Sequence, residues 1–179
     1  MTMSPRVRKF ALATHLTCSV GWIGAVAAYL ALGVAATSSE DVPTVRGAWI
    51  AMDLVGWYVA VPLALTTLLT GLVMAFGTPW GLFRYYWVLF AFVLTTLATI
   101  VLLLHMPTVG SKADVAREAT GARLNELGGD LFHSGLGLVV LLVIQVLNVY
   151  KPPGMTRYGW RKQEERRRVQ AVQRTVSAP

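Results

Sequence analysis

Four long apolar stretches, separated by short polar segments, set the pattern of the chain. The clearest runs from Tyr85 to Met106, YYWVLFAFVLTTLATIVLLLHM, with no formal charge and with Arg84 immediately before it. At about 1.5 Å per helical residue it reaches roughly 30 Å, the thickness of the hydrocarbon core of a bilayer. It therefore predicts a transmembrane helix. Apolar runs at about 10–36, 48–76 and 131–150 are long enough to span as well, with some tilt. The expected fold is all-α: an antiparallel four-helix transmembrane bundle over residues 1–150, followed by a basic tail over 151–179.

The breaks in the pattern predict where the helices bend and stop. Pro62 lies inside the second run and removes an amide donor opposite the Tyr58 carbonyl, so a kink is expected there. The tight connection Gly77, Thr78, Pro79, Trp80 and Gly81 leads into the third span, and Pro107 is expected to end it. Ser111 followed by Asp114 reads as a new helix start, with Gly128 and Gly129 as its stop. That segment predicts a short amphipathic helix lying outside the membrane. Pro152, Pro153 and Gly154 terminate the fourth span. Val34 and Ala36 match the small-residue spacing of a signal-peptide cleavage site, but the first run is too long for a typical signal core and contains His15. The first helix is expected to stay.

Composition supports one membrane domain: 55% of the 179 residues are hydrophobic and 14% charged, with a mean hydropathy of +0.54. The net charge of +7 would suit nucleic acid, but the basic residues gather at the ends of apolar runs, which is the topology signal of a membrane protein. Twelve of the 16 Lys and Arg fall in the N-terminus, the second connection and the tail, so both termini are expected on the cytoplasmic side of the cytoplasmic membrane. Most acidic residues (Glu40, Asp41, Asp53, Asp114, Glu118, Glu126, Asp130) then belong to the outer side. The single Cys18 excludes an intramolecular disulfide and any Cys-only metal site.

Small and polar residues mark the faces that turn inward. His15, Ser19, Trp22, Val26, Tyr29 and Gly33 form one stripe at helical spacing on the first span, with Cys18 at its edge. On the third, Ala91, Ala98 and His105 recur every seven residues, and on the fourth His133, Gly137 and Asn148 share a face with Gln145 beside it. Asp53, His105 and His133 fall in the outer tier, while His15, Arg84, Gln145 and Asn148 fall in the inner one. Ionisable groups within a membrane are costly and default to a functional hypothesis.

Several readings of these groups stay open. His105 and His133 come from consecutive antiparallel helices at a similar level, an arrangement suited to axial ligation of one b-type haem, with His15 supporting the inner half of the bundle. The same pair with Asp53 as third ligand suits copper or zinc, since imidazole serves all of these metals. The plain alternative is two interfacial histidines bonded to loop carbonyls or water. His15 and Cys18 offer two soft ligands on one turn, or His15 bonds Asn148 or Gln145 across the bundle. Asp53 either caps the second helix, pairs with Arg46 or handles ions. Arg84 before Tyr85, Tyr86 and Trp87 reads as an interfacial anchor. The tail WRKQEERRRVQAVQRTV forms a basic helix whose attraction to anionic lipid headgroups accounts for its charge. A membrane-protein partner or a homo-oligomer is the alternative, and nucleic acid is not expected.

At His15, Trp22 and Gly24 the first helix resembles the opening of the CopD-type copper resistance proteins and the HemJ-type protoporphyrinogen oxidases. The HemJ-type pattern continues Tyr-x-x-Arg, whereas this chain has Tyr29, Leu30, Ala31, Leu32 and no arginine. The segment from Gly71 to Met106, with Thr78-Pro79-Trp80-Gly81-Leu82, more closely resembles a group of actinobacterial four-helix integral membrane proteins, a resemblance that brings no activity with it. The leading expectation from the residues is a non-enzymatic accessory or redox-type membrane subunit, with copper or other ion handling, which the CopD-type resemblance implies, or a porphyrin-acting enzyme, which the HemJ-type resemblance implies, as alternatives.

Overall fold

Helix α1, Pro5–Ser38, starts where Ser4 turns its hydroxyl to the Val7 amide and Pro5 occupies the first turn, a position that needs no amide donor. A computed structural model describes residues 3–78, 81–119, 124 and 127–176, with side chains to 173. The second span is α2, Val42–Val55, and α3, Val61–Gly77, joined by a π-helical turn over Gly56–Ala60. The third is α4, Tyr86–Glu118, and the fourth α5, Leu131–Tyr150. All four spans are long and apolar enough to cross a membrane. The chain is a multi-pass membrane protein.

Its outer surface agrees with that reading. Phe10, Leu69, Phe90, Leu104, Phe132 and Val149 are all well exposed, an apolar belt too extensive for a water-facing protein. Among the described residues the interior has two clusters. One joins Trp22, Ala25, Ala60, Ala64, Ala91, Leu141 and Ile144 at the middle of the bundle, where small residues let the backbones approach. The other gathers Tyr29, Val45, Trp49, Met52, Met106, Val109 and Ala116 at the end away from the termini.

The two interior prolines behave differently from each other. Ahead of Pro62 the backbone shifts register, with the Val61 amide reaching back five residues to the Gly56 carbonyl. This widened turn accommodates the donor that Pro62 lacks. Pro107, by contrast, does not end the third span: α4 runs through it to Glu118, and Ser111 is helical, its hydroxyl on the Thr108 carbonyl. The expected separate helix from Ser111 is instead the far end of α4. Packing explains why, since Val109, Ala113 and Ala116 are buried on α4 beyond the proline, with Met106 just before it, and Met106, Val109 and Ala116 join Val45, Ala48, Trp49 and Met52 of α2 in the core. That burial outweighs one lost hydrogen bond at the Leu103 carbonyl. The remainder of that predicted helix, including Glu126, lies largely outside the described residues, as do Pro79 and Trp80.

Arg46 secures the end of α4 by donating to the Ala116 and Ala119 carbonyls at 3.0 and 2.9 Å, where a cation also meets the negative end of the helix dipole. It is not the partner of Asp53. Asp53 pairs with Arg117 at 3.3 Å, and the cap of α2 is Asp41, which accepts from the Thr44 amide at 3.1 Å.

At the other end, α5 stops at Lys151 in a left-handed turn. The chain then crosses to the start of α4. The Tyr86 amide donates to the Gly154 carbonyl and the Thr156 amide to the Arg84 carbonyl. Thr156 then caps α6, Arg157–Val176, by accepting from the Gly159 amide. The basic helix is thus rooted against the connection between the second and third spans.

Candidate metal centre

The sequence brings two imidazoles to one carboxylate at the end of the bundle away from the termini. His105 projects from α4, His133 from the first turn of α5, and Asp130 stands at the N-cap position of α5. Asp130 makes no side-chain cap there. Instead, His105 Nε2–H donates to Asp130 Oδ2 in a short contact, and His133 Nδ1–H donates to Oδ1 at 3.2 Å. From α1, the Tyr29 hydroxyl also donates to Oδ2, at 3.0 Å. Three of the four spans therefore meet on one carboxylate.

Backbone contact fixes that meeting point. A Cβ built on Gly129 would lie 1.9 Å from Thr37 Oγ1 and 2.4 Å from the Gly33 carbonyl oxygen, so only glycine lets this turn close against α1. Asp130 follows directly and is 8% exposed. His105 is 18% exposed in its side chain and His133 49%, so the cluster is buried on the α1 side and open on the α5 side. Phe132 lies edge-on to His133, 5.6 Å between centroids.

One ligand atom from each of His105, Asp130 and His133 can be chosen so that all lie within 4.8 Å of one another. Ligands at about 2.0–2.1 Å in a tetrahedron stand roughly 3.3 Å apart, so closing on an ion takes side-chain movements on the order of 1 Å. Two neutral imidazoles and one carboxylate would leave a divalent ion with one net positive charge and an open fourth position.

The structure places the expected ligands differently from the sequence reading in two respects. Asp53 is not a member of the group and lies on Arg117, while Asp130 takes the carboxylate place. The two histidine rings are stacked, 4.0 Å between centroids and 19° between planes. In a bis-histidine haem the rings point at the iron from opposite faces of the macrocycle. Here they lie flat on each other and turn to one carboxylate, so a porphyrin has no place between them. His15 stands apart in the other half of the bundle, where its Nδ1 lies 3.0 Å from Thr70 Oγ1 rather than on Asn148 or Gln145. Cys18 is a free, half-buried thiol that joins no such cluster among the described residues.

Asp130 and Tyr29 are the residues that sequence reasoning missed as site members. The local signal for Asp130 was its place three residues before His133, which puts both on one turn. Tyr29 had only its membership of the inward stripe. Comparison of the chain with known protein families, with curated proteins and with solved structures gave no match.

Proposed function

We propose that this protein binds one divalent transition-metal ion, zinc or copper, at the extracytoplasmic end of its bundle, and that it serves the membrane as an ion-handling or accessory protein without catalysis of its own. The observation that carries the reading is the convergence of His105, His133 and Asp130, held from behind by Tyr29. A histidine pair backed by a buried carboxylate suits borderline metals and offers little to magnesium or calcium, which prefer oxygen ligands. Charge bias supports an orientation with both termini in the cytoplasm. In that orientation His133 opens toward the outer surface, where an ion arrives, and the basic α6 lies along the anionic inner leaflet.

The test is metal titration of the chelator-stripped protein in lipid nanodiscs. Binding of one zinc ion per chain, lost in His105→Ala and in His133→Ala but kept in His15→Ala, supports the proposal. Equal binding by all four proteins would defeat it.

A further inference from the structure

The half of the bundle nearer the termini holds a small cavity with several polar side chains in its wall, remote from the carboxylate cluster. Its volume is about 30 Å³ and all four spans contribute to its wall, His15 and Trp22 from α1, Thr67 from α3, Gln145 and Asn148 from α5, and Thr95 from α4. Two of the lining residues carry a buried polar group with no hydrogen-bond partner among the described residues, the Trp22 Nε1–H and the Thr67 hydroxyl. Trp22 is 3% exposed and Thr67 6%. An orphan donor in the interior of a membrane protein is costly, because no lipid group can satisfy it.

Thr67 is out of pattern with its neighbours. Thr66, Thr70, Thr95, Thr96 and Thr99 each donate to the carbonyl four residues earlier. Thr67 does not, although the same bond is the usual resort of a threonine in a transmembrane helix. Because the Thr70 hydroxyl proton is engaged at 2.6 Å by the Thr66 carbonyl, Thr70 Oγ1 acts as acceptor toward His15 Nδ1–H. That fixes the tautomer and leaves His15 Nε2 as an acceptor.

We infer that this cavity is a binding site for one or two water molecules. Each accepts from Trp22 Nε1–H or donates to His15 Nε2, and Thr67 with the amides of Gln145 and Asn148 completes the shell. The space is about one water's share of liquid volume and more than one water-sized sphere requires. It is too small for an organic ligand. A bare cation would have no counter-charge there, because no carboxylate lines the wall and the indole only donates. The site would keep a histidine in contact with water inside the cytoplasmic half of the bundle.

The test uses the full chain in nanodiscs with 15N-labelled tryptophan. The Trp22 indole signal is assigned by its disappearance in Trp22→Phe, and magnetisation transfer from water to that N–H is then measured. A direct water cross-peak on Trp22, weakened in the near-isosteric Thr67→Val, is expected. Absence of that cross-peak while headgroup-level tryptophans show theirs would overturn the inference. Thermal unfolding gives an independent sign: Thr67→Val lowers Tm if its hydroxyl holds water and raises Tm if the cavity is dry.

Discussion

Removing one hydroxyl tests how the carboxylate cluster works. Asp130 accepts from three donors, Tyr29, His105 and His133. An ion that takes His105 Nε2 and His133 Nδ1, the nitrogens turned to Asp130, displaces both of those N–H bonds. Tyr29 then remains as the donor that orients the carboxylate. Its bond is to a charged acceptor and contributes about 1.5–3 kcal/mol, and more of it is realised in the loaded state. Tyr29→Phe should therefore weaken metal binding roughly 10- to 100-fold, the range found for outer-shell partners of metal ligands. Competition against a chromophoric chelator in nanodiscs measures this directly. The metal-induced rise in Tm should shrink in the variant by more than its metal-free Tm falls. Wild-type affinity in Tyr29→Phe would refute the argument that α1 supports the site.

Other expectations follow from the same geometry. Gly129→Ala forces a methyl group against Thr37 Oγ1 and the Gly33 carbonyl, and should cost about 1–3 kcal/mol by overpacking, read as a lower Tm together with weaker metal binding. Trp49 is fully buried beneath α4 with Lys112 Nζ 4.9 Å from its ring centroid, so Trp49→Ala should lose about 3–5 kcal/mol, measured by thermal unfolding in detergent. Because the ion competes with imidazole protons, acidification should weaken metal binding, and a titration repeated at falling pH reads the effect. Changing Arg166, Arg167 and Arg168 to Gln should remove about 1 kcal/mol of lipid attraction per residue, seen as faster cleavage after Glu164 and Glu165 by a glutamate-specific protease in anionic nanodiscs and little change in zwitterionic ones.

The four spans were legible because each is a long apolar run with its small and polar residues on one face, and lipid requires that backbone groups be satisfied within each helix. The inward stripe of α1 came out as read: Trp22, Tyr29 and Gly33 are buried, and His15, Ser19 and Val26 half-buried. Pro62 was readable as a disturbance, though not as the π turn that absorbs it. Pro107 misled because local chemistry argues for a stop while the burial of Met106 to Ala116 against α2, invisible in a local pattern, carries the helix through. The histidine pair was found from depth and direction of the spans. Its carboxylate was not, because Asp53 and Asp130 sit at similar depth and only the backbone contact of Gly129 with Gly33 decides which one meets the rings. The Tyr29–Asp130 bond links positions 101 residues apart, and no spacing rule reaches that far.

The most direct measurement of the central proposal is X-ray absorption at the zinc edge on the zinc-loaded protein in nanodiscs. A first shell of nitrogen and oxygen at about 2.0–2.1 Å with the outer-shell signature of two imidazoles, reduced to one in His133→Ala, is predicted. A spectrum that matches hydrated zinc, unchanged when His105, Asp130 and His133 are all replaced by Ala, would contradict the assignment.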